Sequence, residues 1–263
     1  MKQVSWLIAL MVAVLVTGCQ GTTSGVRSDS TSGGDNAESL RIKEGPDTAA
    51  EVNMKLGVAY MQKGNNELAL IKMRRALAMD PRLPSAHYAI ALLYERLNQV
   101  QLAEKHYKDA INIDPLYAEA QNAYAVYLCK RERYAEADLH FNQALKNPLY
   151  KTPSLVYANA GFCAYQNKQY ESAEAYLRKT LQIQPRNTVA LYHMAALSYE
   201  SKKNLRARAY LQRFHDAVKP TPQSLLLGIK LEKELNDQDA VSSYSLLLEK
   251  QFPDSDEAHY IRR

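Results

Sequence analysis

Apolar and small side chains recur along residues 50–254 at intervals of three and four positions, which is the spacing that places them on one face of an α-helix. These stretches come in pairs, and each pair ends near a proline, a residue that cannot continue a helix. The first pair carries the pattern at Leu56, Gly57, Tyr60, Ala69, Met73, Ala76 and Pro81. The pattern therefore predicts a chain of helical hairpins.

The same seven positions return 34 residues later, at Ile90, Ala91, Tyr94, Ala103, Tyr107, Ala110 and Pro115. A third copy spans 124–148, a fourth spans 160–185, and weaker fifth and sixth copies span 194–220 and 228–253. Between the third and fourth copies the period is 36, because the connection at 147–153 is two residues longer than its counterparts. We predict about six repeats, near 50–83, 84–117, 118–153, 154–187, 188–220 and 221–254.

Small residues occupy the eighth and twentieth positions of each unit, such as Gly57 and Ala69 in the first. Two antiparallel helices must approach closely at these positions, and larger residues around them would fill the remaining space. Each hairpin could bury its apolar face only by stacking on its neighbours. We therefore expect residues 47–263 to form an all-α, right-handed superhelical solenoid with a concave inner surface.

The composition agrees with a helical body. The chain of 263 residues is 46% hydrophobic and 23% charged, and six of its ten glycines precede residue 46, which leaves few for a turn-rich β-sandwich or barrel. The formal net charge of +5 is modest, so the sequence does not call for a nucleic-acid partner.

The N-terminus has the features of an export signal. Lys2 precedes an uncharged run, 4–16, that is too short to cross a bilayer as a helix. The run ends in Leu-Val-Thr-Gly before Cys19, which resembles the bacterial lipobox. The resemblance implies that residues 1–18 are a lipoprotein signal peptide and that Cys19 becomes acylated. The alternative is an ordinary secretory signal followed by a chance cysteine.

Residues 19–46 would then be the lipidated cysteine and a flexible tether, because Gly, Ser and Thr dominate this stretch and few apolar residues are present to order it. Gln20 follows the lipidated cysteine, and by resemblance to Gram-negative lipoproteins the absence of Asp there favours the periplasmic face of the outer membrane.

Motifs for catalysis and cofactor binding are missing from the sequence. We find no GxxxxGK[ST], GxGxxG, HExxH, GxSxG or CxxC motif, so we expect neither an enzyme nor a cofactor or metal site. The six histidines are interpreted as partly buried helix residues: His87, His106, His140, His193, His215 and His259.

Two cysteines remain besides Cys19. Cys129 and Cys163 are 34 residues apart and fall on the first helices of consecutive repeats, which should lie side by side. Outside the cytoplasm such a pair can be oxidised, so we predict a disulfide. The alternative is a pair of free cysteines buried in the core.

The repeat pattern resembles the tetratricopeptide repeat (TPR), although its usual fourth-position Trp is replaced by residues such as His87 and Gln121. In TPR domains, positions two, five, nine and twelve of each first helix face the concave groove. The resemblance implies a partner-binding surface that includes Met54, Val58, Met61, Tyr88, Leu92, Arg96, Val126, Phe162 and Tyr165. Such a surface would accept an amphipathic helix or an extended apolar peptide. The alternative is that these side chains are used in packing between neighbouring first helices.

The whole chain resembles the PilF/PilW family of type IV pilus biogenesis lipoproteins. The similarity lies in the lipobox, the spacer, six repeats, the long connection at 147–153 and the two cysteines of the body. It implies a monomeric, membrane-anchored pilotin that binds subunits of the outer-membrane secretin and promotes their localisation and multimerisation, and so supports twitching motility. The alternatives are another periplasmic TPR scaffold, for barrel assembly or cell-wall synthases, and, least favoured, an enzyme acting on the cell wall.

Overall fold

The structure of the protein is a computed structural model that describes residues 47–262. This part of the chain contains thirteen α-helices and no β-strand. The first helices of the six hairpins are α1 (Ala49–Gln62), α3 (Pro84–Arg96), α5 (Ala118–Cys129), α7 (Pro153–Gln166), α9 (Thr188–Glu200) and α11 (Pro222–Glu234). Their second helices are α2 (Asn66–Met79), α4 (Val100–Ile113), α6 (Tyr134–Ala144), α8 (Tyr170–Ile183), α10 (Asn204–Ala217) and α12 (Gln238–Gln251).

The expected all-α architecture of TPR hairpins is confirmed. Each first helix packs against the second helix of its own hairpin, and each second helix packs against the first helix of the next hairpin. The predicted signal peptide (1–18) and the predicted lipidated cysteine and tether (19–46) lie entirely outside the described residues. Within the part of the chain that is described, no helix is both long and apolar enough to cross a bilayer.

Close contact within each hairpin depends on the small residues of the repeat. The twentieth-position alanines Ala69, Ala103, Ala137, Ala173 and Ala207 are fully buried. A Cβ atom added to Gly57 would lie 2.6 Å from Cγ of Met73 and 3.0 Å from the carbonyl oxygen of Ala69. A larger residue at Gly57 would therefore force α1 and α2 apart.

Every hairpin turn contains one residue with a positive φ angle. Gly64 has φ 81°, and the other five have φ between 55° and 60°: Asn98, Glu132, Lys168, Lys202 and Asn236. These residues follow one another at intervals of 34, except for an interval of 36 between the third and fourth. The same left-handed turn geometry therefore recurs in each repeat, and glycine is used for it only in the first.

The connection between the third and fourth repeats differs from the others. Four residues separate α2 from α3, α4 from α5 and α8 from α9, whereas 145–152 separate α6 from α7. The lengthening exceeds the two residues expected from the sequence, because α6 also ends earlier than its counterparts, with 11 residues instead of the 14 of α4.

The C-terminal end is closed by a short helix, α13 (Asp256–Ile261), which the repeat pattern does not contain. Ala258 of this helix is fully buried in a cluster with Leu225, Ile229 and Leu248. Residues 256–261 therefore pack on α11 and α12 through an apolar contact.

A carboxylate cluster links the second and third repeats. Glu104 accepts hydrogen bonds from Tyr124 and Arg133 at 3.0 and 2.9 Å, and Lys108 lies 2.9 Å from the same oxygen atom. Burial acts to raise the pKa of Glu104, but the hydrogen bonds from Lys108, Arg133 and Tyr124 outweigh it and lower the pKa from 4.5 to about 2.

This cluster predicts a loss of stability in acid. A carboxyl whose pKa is lower in the folded state stabilises the fold above its unfolded pKa, and that contribution is lost as the pH falls from about 4.5 to about 2. In Glu104→Gln, the free energy of unfolding should fall less steeply over this range than in the wild type, as measured by urea denaturation at each pH. Glu67→Gln, at an exposed position of α2, is the control. Equal slopes for wild type and Glu104→Gln would contradict the assignment.

Candidate functional site

The predicted groove residues of the first three repeats form a common apolar surface. Met54, Val58 and Met61 of α1, Tyr88 and Leu92 of α3, and Val126 of α5 are all partly buried. All six pack on one continuous buried cluster that extends from the first repeat to the fourth. Their inner parts therefore belong to the core, while their outer parts remain available to a partner.

A cavity of about 470 Å³ opens between α3 and α5. It is lined by Leu92, Glu95, Arg96, Tyr107, Ala123, Val126 and Lys130. The lining combines apolar side chains with charged side chains of both signs. An amphipathic segment, with apolar side chains facing inward and charged groups at its edges, matches these properties.

Polar contacts hold the walls of this cavity in place. The carboxylate of Glu95 accepts hydrogen bonds from the Tyr107 hydroxyl at 2.7 Å and from Nζ of Lys130 at 2.8 Å. Nη1 of Arg96 donates to the carbonyl oxygen of Met61 at 2.7 Å and so joins α3 to the end of α1. Burial, followed by the charge of Glu95, raises the pKa of Tyr107, which keeps this hydroxyl a neutral donor.

Tyr88 is fixed at the start of the same surface. Its ring meets that of Tyr117 edge to face, with centroids 5.5 Å apart. Burial, with a smaller effect from Glu119, raises the pKa of Tyr88 to about 12. Tyr88 therefore presents a neutral aromatic ring at physiological pH.

Phe162 and Tyr165 lie on α7 and form a separate group. Their ring centroids are 4.8 and 5.5 Å from that of His193 on α9. Phe162 is 37% exposed, whereas Tyr165 is about half-buried. A second cavity, of about 370 Å³, begins beside His193 and is lined by Thr188, Val189, Tyr192, His193, Phe214, Val218, Thr221 and Gln223. The predicted surface thus has two parts.

His193 is a neutral group in this second part. Burial alone lowers its pKa to about 4, and its Nδ1 atom is buried without a hydrogen-bond partner. The imidazole therefore acts as part of the aromatic wall.

The structure joins Cys129 and Cys163 in a disulfide, with Cα atoms 5.9 Å apart. Cys129 is the last residue of α5 and Cys163 lies in the third turn of α7, so the bond links the first helices of the third and fourth repeats. It crosses the position where the connection between repeats is longest.

Sequence reasoning missed several residues of the two cavities. Tyr107 was expected only in the core and Ala123 was not considered, yet both line the first cavity. Most residues of the second cavity come from α9, α10 and the turn before α11. Val189 and Tyr192 stand at the second and fifth positions of the fifth repeat, which are groove positions, whereas Thr188, Val218 and Gln223 lie outside the groove positions of the repeat. The signal that could have found them is the cluster of aromatic residues around 192–193.

The structure also brings together three residues that the sequence analysis did not connect. The ring nitrogens of His87 and His106 and a carboxylate oxygen of Asp109 all lie within 4.8 Å of one another. Among the described residues this is the group that could hold a metal ion, whereas the sequence motifs predict no metal site.

Comparison with known proteins supports the repeat assignment. A family described as TPR repeat matches residues 57–98, and one described as tetratricopeptide repeat matches 84–115 and 155–187. The long connection at 147–153 falls between these matches.

Relatives along the full chain come from the type IV pilus system. The type IV pilus assembly protein PilF of Pseudomonas aeruginosa PAO1 is 32% identical over 248 residues, which is 94% of each chain. A crystal structure of PilW, described as a widely conserved type IV pilus biogenesis factor, is 29% identical, with a TM-score of 0.77 over 83% of this chain and 100% of that one. A structure of Pseudomonas aeruginosa PilF has a TM-score of 0.75 and 32% identity over 81% of this chain and 96% of that one.

Proposed function

The chain belongs to the PilF/PilW family of type IV pilus biogenesis proteins, and from that premise we propose that it is a pilotin. In this role it is attached to the outer membrane by acyl chains on Cys19. Its concave groove binds a segment of the pilus secretin and promotes assembly of the secretin into a ring. The function is one of binding and placement, and it requires no chemical turnover by the protein.

The observation that carries this proposal is the surface shared by α1, α3 and α5. Its apolar side chains are partly buried, so they are already held in position before a partner arrives. Binding to a pre-ordered surface loses less conformational entropy than binding to mobile side chains. The hydrogen bond of Arg96 to the end of α1 and that of Lys130 to Glu95 link the ends of α1, α3 and α5 on this surface.

The membrane anchor rests on the sequence, since Cys19 lies outside the described residues. One acyl chain binds a membrane only marginally, whereas several chains give lasting attachment. The tether would have a typical end-to-end length of about 30 Å, as expected for about 27 flexible residues. A domain on such a tether could reach secretin subunits near the membrane surface.

Cys19→Ser tests the anchor. We expect the wild-type protein to take up radiolabelled palmitate and to fractionate with the outer membrane, and the variant to do neither and to appear in the soluble periplasmic fraction. Cys129→Ser/Cys163→Ser, which keeps Cys19, is the control and should still be labelled. Labelling of the Cys19→Ser protein would contradict the lipidation site.

The partner is tested by purification of the full-length protein from a detergent extract after cross-linking. The pilotin proposal predicts that the secretin is the enriched protein. Enrichment of barrel-assembly proteins or of cell-wall synthases, without the secretin, would contradict it and would favour the other periplasmic scaffolds.

A further inference from the structure

Three side chains with metal-binding atoms converge at the second repeat. His87 lies near the start of α3, and His106 and Asp109 lie one turn apart on α4. The two Nδ1 atoms are 3.1 Å apart, and Nδ1 of His87 is 3.6 Å from Oδ2 of Asp109. The side chains of His87 and Asp109 are 12% and 35% exposed, so the cluster lies at the surface of the hairpin and solvent can reach it.

The backbone determines which nitrogen of His87 carries a proton. Nε2 of His87 lies 3.1 Å from the carbonyl oxygen of Pro81, which can only accept a hydrogen bond. Nε2 therefore carries the proton, and Nδ1 of the neutral ring presents a lone pair toward His106 and Asp109. Metal-binding histidines are held in this way, with the second ring nitrogen donating to a carbonyl or a carboxylate.

The equivalent positions of the third repeat form hydrogen bonds with a different set of side chains. Gln121, His140 and Gln143 stand 34 residues after His87, His106 and Asp109. The Gln121 side chain donates to the carbonyl oxygen of Pro115 at 3.0 Å and accepts from Nδ1 of His140 at 2.7 Å.

The amide of Gln121 thus makes the same two kinds of hydrogen bond that His87 makes in the second repeat, one to the proline carbonyl and one to the histidine of the second helix. The second repeat has a histidine and a carboxylate where the third has two amides. Both replacements add a metal ligand, and neither is needed for the hydrogen bonds of the hairpin.

We propose that His87, His106 and Asp109 form a binding site for one Zn²⁺ ion. Two ligands of a tetrahedral zinc ion are about 3.3 Å apart when the bonds are about 2.0–2.1 Å long, and the observed 3.1 and 3.6 Å lie on either side of that value. Two imidazoles and one carboxylate are ligands that zinc prefers, and a water molecule would complete the four-coordinate site.

Binding requires only a small rearrangement of protons. In the absence of the ion, Nδ1–H of His106 donates to Nδ1 of His87. On binding, that proton moves to Nε2 of the same His106 ring through solvent, and both Nδ1 lone pairs bind the ion. The neutral imidazoles lose no net proton.

Zinc bound at this site would cross-link the second repeat, and the second repeat contributes part of the groove. The ion would join α3 to α4, and through His87 it would also fix the turn at Pro81 between the first two repeats. Leu92 and Arg96 follow His87 on α3, so zinc would stiffen one wall of the groove.

The first test is titration of the full mature protein, purified without a polyhistidine tag, with Zn²⁺ by calorimetry and with Co²⁺ by its visible absorption. We expect one ion per chain and a tetrahedral Co²⁺ spectrum. His87→Gln copies the hydrogen bonds of Gln121, so it should fold normally and lose the ion. Asp109→Asn should weaken binding at least about tenfold, because it removes a ligand and the only negative charge among the three.

Matched changes in the third repeat make the test specific. His140→Gln should leave zinc binding unchanged, and Mg²⁺ should not compete, because hard cations prefer oxygen ligands. Gln121→His/Gln143→Asp recreates the three ligands around His140 and should raise the stoichiometry to two. The proposal is overturned if the wild type binds no Zn²⁺, if folded His87→Gln still binds one ion, or if the folded third-repeat variant gains none.

Discussion

Replacement of both Met61 and Leu92 by glutamate is expected to weaken capture of the secretin by about a hundredfold or more. The two residues lie on neighbouring first helices, and both are partly buried on the common apolar cluster. Central apolar anchors of an interface each contribute about 2 kcal/mol or more, and about 1.4 kcal/mol corresponds to a factor of ten. Glutamate would also have to lose its hydration on binding. The measurement is the dissociation constant for purified secretin, with circular dichroism to confirm unchanged helical content.

The matched control places the same charges on the outer surface. Leu139 on α6 and Leu205 on α10 are 69% and 72% exposed, and neither lines either cavity. Leu139→Glu/Leu205→Glu should bind the secretin as the wild type does. If Met61→Glu/Leu92→Glu binds equally well, the groove assignment is wrong.

Removal of the disulfide is expected to cause the largest loss of stability. Cys129 and Cys163 enclose a loop with a sequence separation of 34. Closure of such a loop restricts the unfolded chain and stabilises the fold by about 3–4 kcal/mol on the chain-entropy estimate. Cys129→Ala/Cys163→Ala should therefore unfold at a lower urea concentration than the wild type, with a free energy of unfolding lower by about this amount.

A reductant provides the internal control for this prediction. Dithiothreitol should lower the stability of the wild type toward that of the double variant and should leave the variant unchanged. Two titratable thiols in the mature, lipidated wild type, measured in denaturant without reductant, would contradict the disulfide.

The repeats could be predicted because their signal is both local and repeated. Residues at the eighth and twentieth positions must be small for the helices to meet, and the alanines of the twentieth position are fully buried in five repeats. The period of 34 and the single step of 36 recur in the structure as the spacing of the positive-φ turn residues, such as Asn98 and Glu132.

The cavities could be predicted only in part, because their lining depends on how neighbouring helices pack against each other as well as on the repeat register. Leu92 and Val126 follow from the repeat register. Tyr107 does not, since it is fully buried and yet directs its hydroxyl to Glu95 at the cavity wall. The end of α6 and the helix α13 also fall outside the repeat rules, because each depends on contacts that only one repeat makes.

The cluster at His87, His106 and Asp109 was missed for a related reason. His87 and His106 are 19 residues apart, a spacing with no meaning within one helix. They meet only because the turn between α3 and α4 brings the start of one helix beside the middle of the next. The comparison that reveals them is with Gln121 and His140 in the following repeat.

The central claim is that the groove of this protein binds the secretin and enables its assembly. It is tested most directly by heat- and detergent-resistant secretin rings in the outer membrane of a strain that lacks the gene, complemented with the wild type or with Met61→Glu/Leu92→Glu at equal protein levels. We predict that rings are lost in the deletion strain, restored by the wild type and not restored by the variant. Normal rings in the deletion strain would contradict the claim.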